Sequence, residues 1–184
     1  MQGSQDKRIC KQCQRLNDAK ATECSFCFTK MPEPIEVVIS YSHKDVKAVE
    51  QLETHLSTMK RSNFINLWYD RSIKAGREWD ETIRQKFATA DVILLIVTPD
   101  FIASDFCYCK EMDWALQRHQ NHETCVIPVI FRPTQWAKAP FSVLQALPHE
   151  GKPVTEWQSR VQALLNVAQG IAQAIEDRYK QAVL

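Results

Sequence analysis

Val-Ile-Leu-Leu-Ile-Val-Thr, residues 92–98, is the stretch of this sequence that decides the fold. An unbroken apolar run of this length is typical of a strand that is buried on both faces of a parallel sheet. Further strands are predicted on either side of it, at residues 35–41, 66–69 and 125–131, and apolar residues at helical spacing separate them. This alternation predicts an α/β fold, in which helices cover both faces of a parallel sheet. Ligands of such sheets bind beyond the carboxyl ends of the strands.

The segment after the first predicted strand, Ser42-His-Lys-Asp45, has the spacing of a helix cap. In such a cap the serine hydroxyl accepts a hydrogen bond from the backbone of the first turn, and the acid three residues later reciprocates. We therefore predict that a helix begins here.

Length and composition exclude several classes of protein. The chain has 184 residues, is 45% hydrophobic and carries a net charge of +1. This length admits one ordinary domain plus a small appendage. The longest apolar run is far shorter than the roughly 20 residues of a membrane-spanning helix, and the polar N-terminus does not resemble a signal peptide. We expect a cytoplasmic protein without a membrane segment, and the near-neutral charge makes nucleic acid an unlikely main partner.

Two Cys-x2-Cys knuckles occupy the beginning of the chain, at Cys10 and Cys13 and at Cys24 and Cys27. Two thiolates in one tight turn can reach the same tetrahedral ion, and a second knuckle completes a four-sulfur shell. The pattern predicts a structural zinc ribbon over residues 8–30, against the alternative of redox-active or unrelated thiols. Residues 31–34, Met-Pro-Glu-Pro, are predicted to form a linker.

The role of the ribbon stays open. Residues 1–30 contain six basic and three acidic side chains, and residues 31–184 contain 17 basic and 19 acidic ones. A local basic excess is compatible with a contact to nucleic acid or to an acidic partner, but a solvated structural cap is the favoured explanation.

Five segments in order resemble the TIR (Toll/interleukin-1 receptor) family: residues 37–45, 68–79, 104–111, 126–130 and 147–154. The first is similar to the opening strand and turn of that family, the second to its mobile loop, and the third to the stretch that carries its catalytic glutamate. The resemblance implies a flavodoxin-like, five-stranded parallel sheet with helices on both faces, spanning residues 35–180 and preceded by the ribbon.

The resemblance also implies an activity and a site. TIR enzymes cleave the bond between nicotinamide and ribose in NAD+, and Glu111 occupies the position of their catalytic carboxylate. NAD+ would be the substrate, not a hydride-transfer cofactor, because the four glycines do not form a dinucleotide fingerprint. By the same resemblance, six residues are expected to contact the substrate: Tyr41, Ser42, Asp70, Arg71, Ser104 and Cys107.

The resemblance further implies self-association through TIR–TIR contacts, filaments among them, and a role in bacterial antiphage immunity with an effector or sensor protein as partner. A non-catalytic adaptor that binds other TIR domains through the loop around Asp70 is the main alternative. A nucleic-acid regulator that uses the ribbon is the third.

Overall fold

The computed structural model describes residues 6–69, 81–104 and 110–181. The order of strands and helices confirms the predicted alternation after residue 34. The strands are β1 (Lys7–Ile9), β2 (Leu16–Asp18), β3 (Ile35–Ser40), β4 (Ile65–Trp68), β5 (Val92–Val97) and β6 (Cys125–Ile130). The α-helices are α1 (Val46–His55), α2 (Ser57–Arg61), α3 (Glu81–Thr89), α4 (Pro99–Ile102), α5 (Lys110–Gln120) and α6 (Arg160–Gln181).

The main sheet is parallel, with the strand order β4-β3-β5-β6. Its centre is the strand that the apolar run predicted, since every residue of β5 is buried. Connections run outward in opposite directions from β3 and β5, so the strand order reverses between these two strands. In open α/β sheets, the crevice at such a reversal is where ligands bind.

The described part of the chain contains four strands in this sheet, whereas the family resemblance implied five. In place of a fifth strand, Leu147 forms a single parallel bridge to Val129. The N–H of Leu147 donates to Pro128 at 2.8 Å, and its carbonyl accepts from Ile130 at 2.7 Å. The next residue, Pro148, has no N–H to donate, which limits any continuation of the ladder.

Helices cover both faces of the sheet, as predicted. One core lies beneath α1 and α6 and includes Leu52, Leu56 and Ile171. The other lies beneath α3, α4 and α5 and includes Phe87, Phe101 and Met112. This double burial is the reason that β5 carries no polar residue.

The N-terminal segment forms its own small unit, in which β1 and β2 pair as an antiparallel hairpin. Its buried centre consists of Cys10, Cys24 and Met31, with Cys13 and Cys27 packed against them. Met31 lies within the predicted linker but packs into this centre. No helix within the described ranges is both long enough and apolar enough to cross a membrane.

Candidate functional site

The carboxyl edge of the sheet carries a group of buried polar residues around the reversal between β3 and β5. Ser40 ends β3, Tyr41 and Ser42 follow it, and Thr98 follows β5; all four are at most 8% exposed. The ring of Tyr41 contacts Tyr69 edge to face, with 6.0 Å between the ring centroids. Strands β3 and β5 therefore deliver polar side chains to the crevice in which an α/β sheet binds its ligand.

Asp45 is the centre of a network that joins three connections of the sheet. Its side chain is only 5% exposed. Oδ2 accepts a hydrogen bond from the Thr98 hydroxyl at 2.5 Å, and Oδ1 accepts one from Nη2 of Arg132 at 2.8 Å. These residues follow β3, β5 and β6, so the network fixes the relative positions of the three strand ends.

A second acid extends the network to the surface. Nη2 of Arg132 also donates to Asp100 at 2.5 Å, and Lys44 lies 3.0 Å from the other oxygen of the same carboxylate. The hydrogen bonds from Arg132 and Lys44 hold the pKa of Asp100 below its usual range, and the hydrogen bond to Asp100 raises the pKa of Arg132. Two acids thus face two cations, which favours a rigid rim without net charge.

The cap predicted at Ser42 and Asp45 is wrong in its side-chain contacts. The backbone does turn here, and the N–H of Asp45 donates to the carbonyl of Ser42 at 2.7 Å. However, the Ser42 side chain makes no capping hydrogen bond, and the segment forms a short 3-10 helix before α1 begins at Val46. The Asp45 carboxylate accepts hydrogen bonds from Thr98 and Arg132 instead of from the helix backbone, because a charged partner binds it more strongly than a backbone N–H.

The structure describes three of the six predicted substrate-contacting residues. Tyr41 and Ser42 lie together at the end of β3, as described above. The Ser104 hydroxyl donates to the carbonyl of Phe101 at 2.5 Å, at the end of α4. Asp70, Arg71 and Cys107 lie outside the described residues.

Glu111 is the second residue of α5. The end of this helix lies at the amino end of β6, where the N–H of Val126 donates to Nδ1 of His119 at 3.0 Å. The helix has 11 residues and is therefore about 16 Å long. Its first turn, which contains the backbone of Glu111, lies toward the opposite, carboxyl edge of the sheet.

Sequence reasoning missed the contribution of Thr98, Asp100 and Arg132 to this edge. Position within the topology was an available signal, because Thr98 is the last residue of a predicted strand, and Asp100 and Arg132 closely follow predicted strands. Thr98 also precedes Pro99, a pairing typical of a helix start, and its hydroxyl accepts from the N–H of Phe101. That Arg132 meets Asp45 could not be predicted from local pattern, since 87 residues separate them.

The four N-terminal cysteines converge on one point. Their sulfur atoms all lie within 4.8 Å of one another, with Cys10 and Cys27 3.6 Å apart and Cys13 and Cys24 3.5 Å apart. A tetrahedral ion with metal–sulfur bonds of about 2.3 Å places its sulfurs about 3.8 Å apart. The cluster therefore has the donor type, number and spacing to hold a metal ion.

Neighbouring groups favour the thiolate at two of these cysteines. Burial alone would raise the pKa of Cys24, but hydrogen bonds with the backbone of Cys27 and Phe26 outweigh it and lower the pKa to about 6. Hydrogen bonds with the hydroxyl and backbone of Thr29 lower the pKa of Cys27. The amide of Asn17 also donates to the sulfur of Cys24 at 3.4 Å. Such contacts are typical of the surroundings of metal-binding thiolates.

Cys13 behaves differently in the absence of an ion. A backbone hydrogen bond with Arg15 favours its thiolate, yet burial and hydrogen bonds with the neighbouring thiols outweigh it and raise its pKa to about 12. Four adjacent sulfurs cannot all carry a charge without a cation between them. A divalent ion would remove this conflict.

The chain has recognisable relatives among known proteins. A family model described as "TIR domain" matches residues 37–165. The chain is 46% identical over 138 residues to the uncharacterized protein y4lF of Sinorhizobium fredii (strain NBRC 101917 / NGR234), a match that covers 75% of this chain and 43% of that protein. The chain thus spans less than half the length of this relative. Among solved structures, the TIR domain of the Toll-related receptor TRR-2 from Hydra magnipapillata is similar, with a TM-score of 0.48, 19% identity, and coverage of 75% of this chain and 98% of that one.

Proposed function

The chain belongs to the TIR domain family, and from this premise we propose that it hydrolyses the bond between nicotinamide and ribose in NAD+. The family includes NAD-cleaving members. The proposed catalytic residue is Glu111, and the proposed substrate contacts are Tyr41, Ser42, Asp70, Arg71, Ser104 and Cys107.

The observation that carries this proposal is the meeting of two elements at one edge of the sheet. The first turn of α5, with Glu111 as its second residue, lies toward the carboxyl edge. Tyr41 and Ser42 follow β3 at the same edge, beside the reversal of strand order. A substrate in this crevice would lie beside Tyr41 and Ser42 and near the helix turn to which Glu111 belongs.

The reaction suits a site of this kind because it needs few catalytic groups from the protein. The bond between C1′ of the ribose and the pyridinium nitrogen breaks, and its electron pair leaves with nicotinamide, which departs as a neutral molecule. Positive charge develops at C1′, where a nearby carboxylate stabilises it. Water then adds to C1′ and releases a proton, so NAD+ and water give ADP-ribose, nicotinamide and H+. A cyclic or conjugated product forms instead where a substrate hydroxyl or ring nitrogen replaces the water.

The Asp45 network supports this chemistry from beneath the crevice. It ties the connection after β3, which carries Tyr41 and Ser42, to the connections after β5 and β6. A site that stabilises a developing charge gains most when its groups are held in place before the reaction. Asp45 and Arg132 are therefore positioning residues in this proposal and do not contact the substrate.

The N-terminal cluster is proposed to hold one structural zinc ion. Cys10, Cys13, Cys24 and Cys27 supply four sulfur ligands, a set that suits zinc in a closed tetrahedral site. The apolar centre of this unit is very small, so metal binding would supply much of its folding free energy.

We further propose that the enzyme acts in bacterial antiphage immunity and is activated by self-assembly. Family membership and the proposed chemistry support this proposal, since the reaction either depletes NAD+ or makes a nucleotide signal. Activity would then rise more steeply than protein concentration, because active sites would form as chains associate.

The direct test is incubation of the concentrated, zinc-loaded chain with NAD+ and analysis of the products by chromatography. We expect nicotinamide and an ADP-ribose product, and a loss of at least about 100-fold in rate for Glu111→Ala, the scale seen when one charge-stabilising group is removed. Asp113→Asn is the matched control, because Asp113 lies in the same helix and is exposed.

Absence of turnover at every concentration, or equal rates for Glu111→Ala and the wild type, would contradict the enzyme hypothesis. In that case the adaptor alternative predicts association with another TIR domain that Glu111→Ala leaves unchanged. Sedimentation of the wild type and of Glu111→Ala distinguishes these outcomes.

A further inference from the structure

A groove of about 520 Å³ separates the N-terminal hairpin from the TIR domain. One wall is the hairpin, and the other consists of the linker and the turn that follows α2. The lining residues that matter here are Arg8, Ile9, Lys11 and Leu16 on the hairpin, and Glu33 and Phe64 opposite them. The groove lies apart from the carboxyl edge, because Phe64 directly precedes the amino end of β4.

Arg8 is a buried cation in this groove. It is 9% exposed, and its Nη2 donates to the carbonyl of Pro32 at 2.9 Å. Among the carboxylate side chains that the structure describes, none lies within ion-pair distance of its guanidinium. A buried charge that has a single carbonyl partner is costly and is stabilised by an anion.

The neighbouring cysteine cluster does not engage this guanidinium through a hydrogen bond. The residue paired with Arg8 across the hairpin is Asn17, and it is the Asn17 amide that donates to Cys24. Arg8 instead bonds the linker residue Pro32, which also lines the groove.

The charge of the groove favours an anionic ligand. Lys7 and Lys11 line it together with Arg8, whereas Glu33 is the one acidic residue among its lining residues. Lys11 is exposed and extends from the knuckle that contains Cys10. A phosphate that approaches Arg8 would therefore meet a second cation.

The same groove has apolar walls. Ile9 and Leu16 are paired across the hairpin and are 57% and 61% exposed, although both are large aliphatic residues. Phe64 faces them from the TIR domain and is half-buried. Binding sites for small molecules typically have volumes of about 300–1,000 Å³ and combine apolar walls with a few charged groups.

We infer that this groove binds a phosphate-bearing small molecule of nucleotide size, with its phosphate on Arg8 and Lys11 and its apolar part against Ile9 and Leu16. A small molecule is favoured over a polynucleotide because three cations of the hairpin unit lie along one groove of ligand size, and residues 31–184 carry a slight acidic excess. The site is separate from the proposed NAD+ site and does not depend on it.

Isothermal titration calorimetry on the zinc-loaded full chain tests this inference with ADP, pyrophosphate and adenosine as probes. We expect ADP to bind more tightly than pyrophosphate, since it adds contacts with the apolar walls, and adenosine to bind most weakly. Binding of ADP should weaken as salt is raised, because charge contributes to it.

Lys11→Ala should weaken ADP binding about tenfold, whereas Lys30→Ala, an exposed lysine of the same unit outside the groove, should leave it unchanged. Arg8→Gln should weaken it further, and Lys11→Ala keeps the test valid if loss of Arg8 unfolds the hairpin. A loss of ADP binding in Lys11→Ala but not in Lys30→Ala assigns the binding to this groove, which is remote from the NAD+ site. Equal ADP affinity in wild type, Lys11→Ala and Arg8→Gln would overturn the inference. So would binding of a short single-stranded oligonucleotide without binding of ADP.

Discussion

Replacement of Asp45 by alanine removes the acceptor on which the carboxyl edge of the sheet depends. The change deletes two hydrogen bonds at once, one from the Thr98 hydroxyl and one from Arg132. Thr98 keeps its contact with the N–H of Phe101, and Arg132 keeps Asp100. The three strand ends then lose the one group that joins them.

The expected magnitude follows from burial and from the partners that remain. A hydrogen bond to a charged group contributes about 1.5–3 kcal/mol, and removing one partner of a buried pair costs about 3–5 kcal/mol. The side chain of Arg132 is 39% exposed and keeps a second acid, so solvent compensates part of its loss. We therefore expect Asp45→Ala to lower the free energy of unfolding by about 2–3 kcal/mol, and the melting temperature by about 5–10 °C.

Urea unfolding followed by far-UV circular dichroism measures this loss, with zinc present throughout. Asp113→Ala, in an exposed position of α5, should change stability by less than about 0.5 kcal/mol. A double-mutant cycle with Arg132→Ala should give a coupling of at least about 1 kcal/mol. If Asp45→Ala is as stable as the control variant, or if the cycle shows no coupling, the structural role given to this network is refuted.

Two further predictions concern the metal and the pH dependence of stability. Elemental mass spectrometry should find one zinc ion per purified chain. Cys24→Ser should lose this ion, whereas Cys125→Ser should keep it. Full zinc content in Cys24→Ser would contradict the four-sulfur site. Burial lowers the pKa of His119 from its ordinary value of 6.5, and the charges of His122 and Arg178 lower it further, so the unfolded chain takes up a proton at higher pH than the native one. Stability should therefore fall as the pH decreases through 6.5 toward the lowered native pKa, and His119→Gln should show a smaller fall; an equal fall in both proteins would refute this assignment.

The fold was predictable from sequence because its main determinant is local. Residues 92–97 are apolar without interruption, a pattern typical of a strand buried on both faces, and the structure buries every one of them. The cysteine cluster was predictable for a similar reason, since each knuckle sets the positions of its own two sulfurs. A fifth strand was implied by family resemblance alone, and in the described residues Leu147 supplies a single bridge in its place.

The network at the carboxyl edge was not predictable, because its members are distant in sequence and the helix cap that competes with it is local. The spacing of Ser42 and Asp45 fits a cap, and nothing near them in the sequence indicates a competing cation. The fold brings Arg132 to Asp45 across 87 residues, and the ion pair prevails over the cap. Arg8 is a comparable case, since a basic residue in a polar hairpin is expected to be exposed but lies buried beneath the linker.

The main proposal for this TIR domain is that Glu111 enables it to cleave NAD+. Its most direct test is the rate of nicotinamide release from NAD+ by the concentrated wild-type chain and by Glu111→Ala, measured side by side. We expect release by the wild type and a rate at least about 100-fold lower for Glu111→Ala, with Asp113→Asn unchanged. Nicotinamide release at the same rate by the wild type and Glu111→Ala, or by neither, would contradict it.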